Sequence, residues 1–130
     1  MRAIGLSALA LAAVTGAWAQ ELTVVRDGQP AAVIVLAPDA SEQLAEAVGE
    51  MQALIERSTG ACLELADEAP AGMAAIHVGR TPAVQALDLD LGDLDGDGFV
   101  IQFPDERSVM ILGPTDWGTE FGVYEFLERY

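Results

Sequence analysis

The sequence contains no lysine and no asparagine, and it has one cysteine, one histidine and few aromatic residues. Without asparagine the chain has no acceptor site for N-glycosylation. Its single cysteine, Cys62, cannot form an internal disulfide, and its apolar neighbours predict a small buried residue in a strand rather than a reactive thiol. The chain must therefore be held together by a hydrophobic core, and 130 residues allow at most one domain.

Basic residues are also scarce, because six arginines stand against 21 acidic residues and give a formal net charge of −15. An acidic surface repels the phosphates of nucleic acids and the headgroups of anionic membranes. We therefore expect neither nucleic acid nor a membrane as a partner of the folded domain.

Residues 1–19 have the pattern of a secretory signal peptide. Arg2 is a basic n-region, Ile4 to Val14 form an apolar h-region, and Ala17-Trp18-Ala19 is a small-x-small cleavage site. The apolar stretch is too short to span a membrane, although a retained N-terminal anchor is the alternative. Cleavage after Ala19 predicts a secreted or periplasmic protein that starts at Gln20. Its net charge is −16, because the leader removes one arginine and no acid.

Residues 20–130 alternate between strand and helix patterns. Asp27-Gly28 is a hairpin turn signal between the first two strands. Helices are predicted from Asp39 to Gly60, from Thr81 to about Leu87, and from Asp116 to the end. The predicted strands are Glu21–Arg26, Ala32–Leu36, Cys62–Leu65, Ala74–Val78, Phe99–Phe103 and Ser108–Leu112. This order predicts an α/β domain, with a mixed sheet of about five to six strands and two longer helices and one short helix packed on it.

The first predicted helix has one apolar face and one acidic face. Its apolar residues recur at steps of four, three and four, namely Leu44, Val48, Met51 and Ile55. Asp39 is the expected N-cap, since Glu42 follows at capping-box spacing. Glu42, Glu46 and Glu50 line another face, which we interpret as solvated rather than as a cation site.

The last predicted helix is apolar on two sides. Trp117, Phe121 and Tyr124 share one side, and Val123, Phe126, Leu127 and Tyr130 lie roughly opposite. A surface helix needs one apolar stripe, so a helix with two must be covered twice. The domain's own sheet accounts for one cover. We expect the other side to be open in this chain, but the sequence does not say which side that is.

The sharpest local motif is the run Asp93-Leu-Asp95-Gly-Asp97-Gly98, which matches the first half of a calcium-binding loop. The bidentate glutamate that should complete the loop is replaced by Pro104, and no long helix precedes it. We therefore interpret the run as a solvated acidic turn before a strand.

Other chemistry-bearing residues do not form a motif. His77 stands alone in a strand, where a core or edge histidine is expected rather than a metal ligand. Glu120, Glu125 and Glu128 share the last helix, and paired carboxylates could cleave a glycosidic bond, but nothing in the sequence forms a sugar cleft. Trp117 could stack on a sugar or a neighbouring domain, with core packing as the default. The sequence predicts no catalytic, cofactor-binding or metal-ligating residue and no cofactor.

Four segments carry a resemblance to a known family. They are "AEAVGEMQALIERSTG", "AAIHVGRTPAVQAL", "DGFVIQFPDERSVMILG" and "GTEFGVYEFLERY", which together cover most of residues 20–130. They resemble the N-terminal α/β domain that precedes the catalytic barrel in alpha-glucuronidases and beta-hexosaminidases, and in related secreted bacterial proteins. The last segment is the most specific, because that family has a "G-x-Y-x-F-L-E" helix just before the barrel. The resemblance implies a non-catalytic accessory domain, with the catalytic carboxylates in a barrel that this chain does not contain.

Three hypotheses follow. The first is an exported, non-catalytic domain of a glycoside-hydrolase-like protein active in carbohydrate metabolism, whose partner is the downstream barrel of the same parent chain. The second is a free-standing carbohydrate- or cell-surface-binding module, which exposed aromatic residues around a cleft would favour. The third is a small calcium-dependent domain.

Overall fold

A computed structural model describes residues 10–15 and 18–129, with side chains from Leu22 onward. Parts of the predicted signal peptide, including Arg2 and Ala17, lie outside the described residues, as does Tyr130. Strands β1 (Ala10–Thr15) and β2 (Trp18–Thr23) pair in antiparallel fashion, so the second half of the predicted leader is paired with the start of the domain. The signal peptide remains a prediction, because it concerns processing.

The remaining elements confirm a mixed α/β fold with two longer helices and one short helix. They are β3 (Val25–Arg26), β4 (Gln29–Pro30), β5 (Ala32–Leu36), α1 (Glu42–Thr59), β6 (Ala74–Val78), α2 (Pro82–Gln85), β7 (Val100–Asp105), β8 (Ser108–Leu112) and α3 (Asp116–Arg129). Asp27 and Gly28 both have positive φ, as a two-residue hairpin turn between β3 and β4 requires. None of the described helices has the length and apolar character needed to cross a membrane.

The central sheet has the strand order β5-β6-β8-β7. Strands β5, β6 and β8 are parallel, and β7 is an antiparallel edge strand. The predicted strand Cys62–Leu65 is wrong as a strand, because only Leu65 forms a bridge, to Ile34 at the outer edge of β5. Ala61 and Leu63 point into the core, which leaves Cys62 exposed. The prediction of a buried cysteine is therefore wrong.

One face of the sheet carries the main core. Side chains of β5, β6 and β8, such as Ile34, Ile76 and Ile111, pack against the apolar faces of α1 and α3. The predicted apolar stripe of α1 is confirmed, with its members fully or nearly fully buried. The helix ends at Gly60, as predicted. This face holds most of the largest buried side chains, so it supplies most of the hydrophobic stabilisation.

The opposite face of the sheet has a thinner cover. Near β5, Val33 and Val35 pack with partly buried residues of the segment 66–73. Near β8, Met110 and Leu112 pack with Val84 of α2 and with the segment 89–91. Helix α2 begins after Thr81, whose hydroxyl accepts a hydrogen bond from the Val84 amide, as the sequence predicted for this helix start.

The N-caps of both longer helices differ from the prediction. In α1 the cap is Ser41 instead of Asp39, because the Ser41 hydroxyl accepts from the Leu44 amide. In α3 the sequence also favours Asp116 as the N-cap, but the cap is Thr115, since Thr115 Oγ1 accepts from the Gly118 amide. Thr115 Oγ1 also donates to the Gly96 carbonyl, and this bond fixes the preceding loop against the helix start.

The side chain of Asp116 does not cap α3. It links α3 to the start of α1. Its Oδ2 accepts a hydrogen bond of 2.6 Å from the backbone amide of Ser41. In a capping box this amide is bound by an acid of the same helix. Here the acid comes from α3, so the first turns of α1 and α3 lie side by side.

Helix α3 approaches the loop before β7 at backbone distance. A Cβ on Gly118 or Gly113 would overlap the Gly98 carbonyl, and a Cβ on Gly122 would lie 2.6 Å from Ile111 Cγ2. The buried Thr119 hydroxyl joins the end of β8 to the start of α3, since it accepts from the Gly113 amide and donates to the Thr115 carbonyl. These contacts fix the rotation of α3 about its axis.

We predict that Gly118→Ala lowers the free energy of unfolding. In a helix interior, alanine is more favourable than glycine by up to about 1 kcal/mol of intrinsic helix propensity. Overlap with a backbone carbonyl should outweigh this gain, since overpacking costs about 1–3 kcal/mol. The matched control is Gly49→Ala in α1, where nothing lies within 4 Å of the added Cβ and stabilisation is expected. Urea unfolding followed by circular dichroism measures both, and equal stabilisation would contradict the close approach.

Candidate interaction surface on helices α1 and α3

The structure decides which apolar side of α3 is open. Val123 and Phe126 are buried in the main core. Trp117, Phe121 and Tyr124 stand at steps of four and three on the outer side, with exposed fractions of 64%, 43% and 36%. The expectation of one open side is thus met, and the aromatic side is the open one. Core packing, the default for Trp117, is wrong.

These three rings line an open groove between α1 and α3, which we call the aromatic groove. Its volume is about 380 Å³, and its lining consists of Gln43, Glu46, Ala47, Glu50, Trp117, Glu120, Phe121 and Tyr124. The Trp117 and Phe121 rings meet edge to face, with centroids 6.0 Å apart and planes at 66°. The acidic face of α1 therefore forms one wall, and the aromatic face of α3 forms the other.

The aromatic groove is electrostatically negative. The Tyr124 hydroxyl donates a hydrogen bond of 3.2 Å to Glu50 Oε2. The pKa of Tyr124 is raised above its ordinary value, first by desolvation and then by the hydrogen bond to Glu50 and the charges of Glu50, Glu120 and Glu46. Ring faces carry a negative quadrupole, so they add to the potential of the carboxylates. Such a surface attracts cations and repels anions.

The glutamates of α3 do not share one environment. Glu120 lies at the aromatic groove, whereas Glu125 forms an ion pair of 2.6 Å with Arg129, one helical turn away. Glu128 is exposed. The structure therefore separates the carboxylates considered for glycosidic acid–base work, with one on the groove wall and another bound to an arginine.

The acidic loop before β7 packs against the start of α3. The Gly98 amide donates to the Asp95 carbonyl, and the Gly96 carbonyl accepts from Thr115. Asp93, Asp95 and Asp97 are exposed. Across residues 10–15 and 18–129 no three histidine, cysteine, aspartate or glutamate side chains are placed to hold a metal ion. That this loop binds no calcium stays a prediction.

His77 lies on the thinly covered face of the sheet, in a cavity of about 100 Å³ beside α2 and the β7–β8 hairpin. The cavity is lined by His77, Ala83, Val84, Leu87, Pro104, Asp105, Ser108 and Met110. His77 Nδ1 lies 3.1 Å from Thr81 Oγ1. Thr81 Oγ1 also accepts from the Val84 amide. With the ring proton on Nε2, Nδ1 accepts the Thr81 hydroxyl proton, and with the ring proton on Nδ1 the ring donates to Thr81 Oγ1.

The polar groups of this cavity are not arranged as a catalytic triad. Ser108 Oγ donates to Asp105 Oδ1 at 2.7 Å rather than to His77. The pKa of Asp105 is lowered, first by this bond and then by the bond from the Arg107 amide. Burial lowers the pKa of His77, and the charge of Asp105 offsets part of the effect. A serine that already donates to the acid cannot pass its proton to the histidine.

We predict that His77 makes the stability of the chain depend on pH. Its folded pKa lies below its ordinary value of 6.5, so the unfolded chain binds the proton first. This stabilisation is complete above pH 6.5 and is lost as pH falls through the folded pKa. Asp105 stays ionised in this window. Chemical unfolding between about pH 8 and pH 5 should show the wild type losing more stability than His77→Asn.

Asparagine is the matched replacement, because its amide oxygen can accept the Thr81 proton and its charge never changes. Both proteins have the same carboxylates, and Asp105, the one that interacts with His77, has a lowered pKa, so the difference between the two curves reports on His77. Parallel curves would contradict the assignment.

The fold and the groove define a class of protein, which is a small α/β domain that presents an aromatic and acidic surface on one pair of helices. Comparison with protein families matches residues 19–126 to the N-terminus of glycosyl hydrolase family 67. The chain therefore belongs to the family of N-terminal domains of family 67, the alpha-glucuronidase part of the resemblance. A comparison with curated proteins finds no match.

Proposed function

We propose that the chain is the exported, non-catalytic N-terminal domain of a glycoside hydrolase, with catalysis in a barrel domain of the same parent protein. The observation that carries the proposal is the match of residues 19–126 to a family defined as an N-terminus. A domain that belongs to the N-terminal part of such a protein implies a catalytic part in the same chain. In this proposal the accessory domain supports the barrel and performs no step of the hydrolysis.

The carboxylates outside the aromatic groove are placed as expected for a non-catalytic role. Glycosidases hold two carboxyl groups about 5–10 Å apart on either side of the scissile bond. Glu125 is bound by Arg129, and the exposed Asp93, Asp95 and Asp97 lie on a loop that packs on α3. These side chains belong to surface and packing interactions rather than to opposed walls of a sugar cleft.

A carbohydrate-binding module is the second candidate, and the exposed rings of the aromatic groove are the observation that favours it. Aromatic side chains bind the apolar faces of sugars, and glutamate or glutamine side chains can bind their hydroxyls. The edge-to-face arrangement of Trp117 and Phe121 argues against it, because two rings at 66° do not form a flat platform.

We predict that the purified chain hydrolyses no glycoside and that the parent protein does. Aryl-glycoside turnover should be found only with the parent, and it should survive Glu120→Gln, because catalysis resides in the barrel. Gln keeps the size of the side chain and removes its charge. Turnover by this chain that persists through repurification and is lost in Glu120→Gln would refute the proposal. So would a coding frame without a catalytic domain.

Export gives a separate prediction. The small residues Ala17 and Ala19 fit the binding pockets of signal peptidase, so the mature protein should start at Gln20 and lack β1. N-terminal sequencing of protein recovered from the medium or periplasm measures this. A large residue in place of Ala19, as in Ala19→Leu, should block cleavage. Secreted material that still begins at Met1 would contradict the prediction.

A further inference from the structure

The aromatic groove offers three carboxylates and three rings but no basic side chain. Glu46, Glu50 and Glu120 surround the rings, and Gln43 and Ala47 complete the lining. The only internal polar bond that an aromatic side chain makes here is from Tyr124 to Glu50, and both residues remain exposed. The groove therefore lacks the cation that would neutralise it.

We propose that the aromatic groove docks an arginine-bearing surface of the catalytic domain of the parent protein. This inference rests on the proposed function, because it names the partner domain. A guanidinium group stacks on aromatic faces and binds carboxylates through paired N–H donors. Trp117 and Phe121 supply the faces, and the glutamates on both walls supply the acceptors.

Charge argues for this occupant over a second copy of the chain. The mature chain carries −16, so two copies joined through the aromatic groove would bring like charges together. Neither copy could contribute a basic side chain from the groove, whose lining contains none. A partner with exposed arginines meets no such repulsion, and its positive charges are attracted by the glutamates of the groove.

The exposure of the aromatic side chains indicates that a protein surface covers the groove in the parent protein. Trp117 is 64% exposed although it is the largest side chain of α3, and Phe121 is 43% exposed beside it. A contiguous exposed aromatic patch on a secreted domain marks an interaction site. Aromatic and arginine side chains are also the residues that dominate binding energy at protein interfaces.

The test measures the solvent reactivity of the three rings in the parent protein and in this chain. Hydroxyl-radical footprinting read by mass spectrometry should show severalfold lower oxidation of Trp117, Phe121 and Tyr124 in the parent. Leu87, which is 45% exposed on the other side of the sheet, is the internal control and should react equally in both. Equal reactivity of the rings in the two proteins would overturn the inference.

Charge variants of the parent test the role of the cation. Glu46→Gln with Glu120→Gln should lower the salt concentration at which the rings lose protection. Glu68→Gln with Glu106→Gln removes the same charge from exposed sites outside the groove and should leave that concentration unchanged. Protection that responds equally to both pairs would overturn the assignment to a basic partner.

Two further arms use this chain alone. Protection that grows with its concentration would identify a second copy as the occupant, and protection by cellohexaose would identify a neutral sugar. Either result overturns the inference. Failure here is separate from failure of the proposed function, because the activity of the parent is measured independently of the reactivity of the rings.

Discussion

The close packing of helix α3 on the loop before β7 is the contact on which the rest of the structure depends. Glycines at positions 98, 113 and 118 let the backbones meet without intervening side chains. The buried Thr119 hydroxyl binds the Gly113 amide and the Thr115 carbonyl, which fixes the connection from β8 into the helix. Because the helix cannot roll about its axis here, the direction of each of its side chains is fixed.

This rotation has a functional consequence. With Gly118 against the loop before β7 and Gly122 against Ile111 of β8, Val123 and Phe126 enter the core and the aromatic face turns outward. Asp116 then reaches the amide of Ser41 and sets α1 beside α3. This bond and the core that the two helices share bring the acidic face of α1 beside the aromatic face of α3. One packing constraint thus creates both the core and the exposed surface.

The residues with chemically active side chains lie away from this surface and have structural partners. His77 forms a hydrogen bond with Thr81, which also caps α2, and Ser108 donates to Asp105 in the turn between β7 and β8. These bonds stabilise local turns. The role proposed for this member of the family 67 N-terminal domains depends on a surface and does not use these residues.

The sequence alone determined the three helices, the apolar face of α1, the hairpin turn at Asp27-Gly28 and the family. Each of these depends on local periodicity, on turn residues or on a family sequence motif, and such signals lie within a few neighbouring residues. The sequence also showed that α3 has two apolar sides. It could not choose between them, because both obey the same helical period.

Only the tertiary structure decided that choice, since it depends on contacts between residues far apart in the chain. Asp116 reaches Ser41 across 75 positions, and no local pattern distinguishes this role from that of an N-cap. Cys62 likewise reads as a buried strand residue, yet Ala61 and Leu63 take the core positions beside it. Local patterns specify which residues can be buried, while long-range packing selects which of them are.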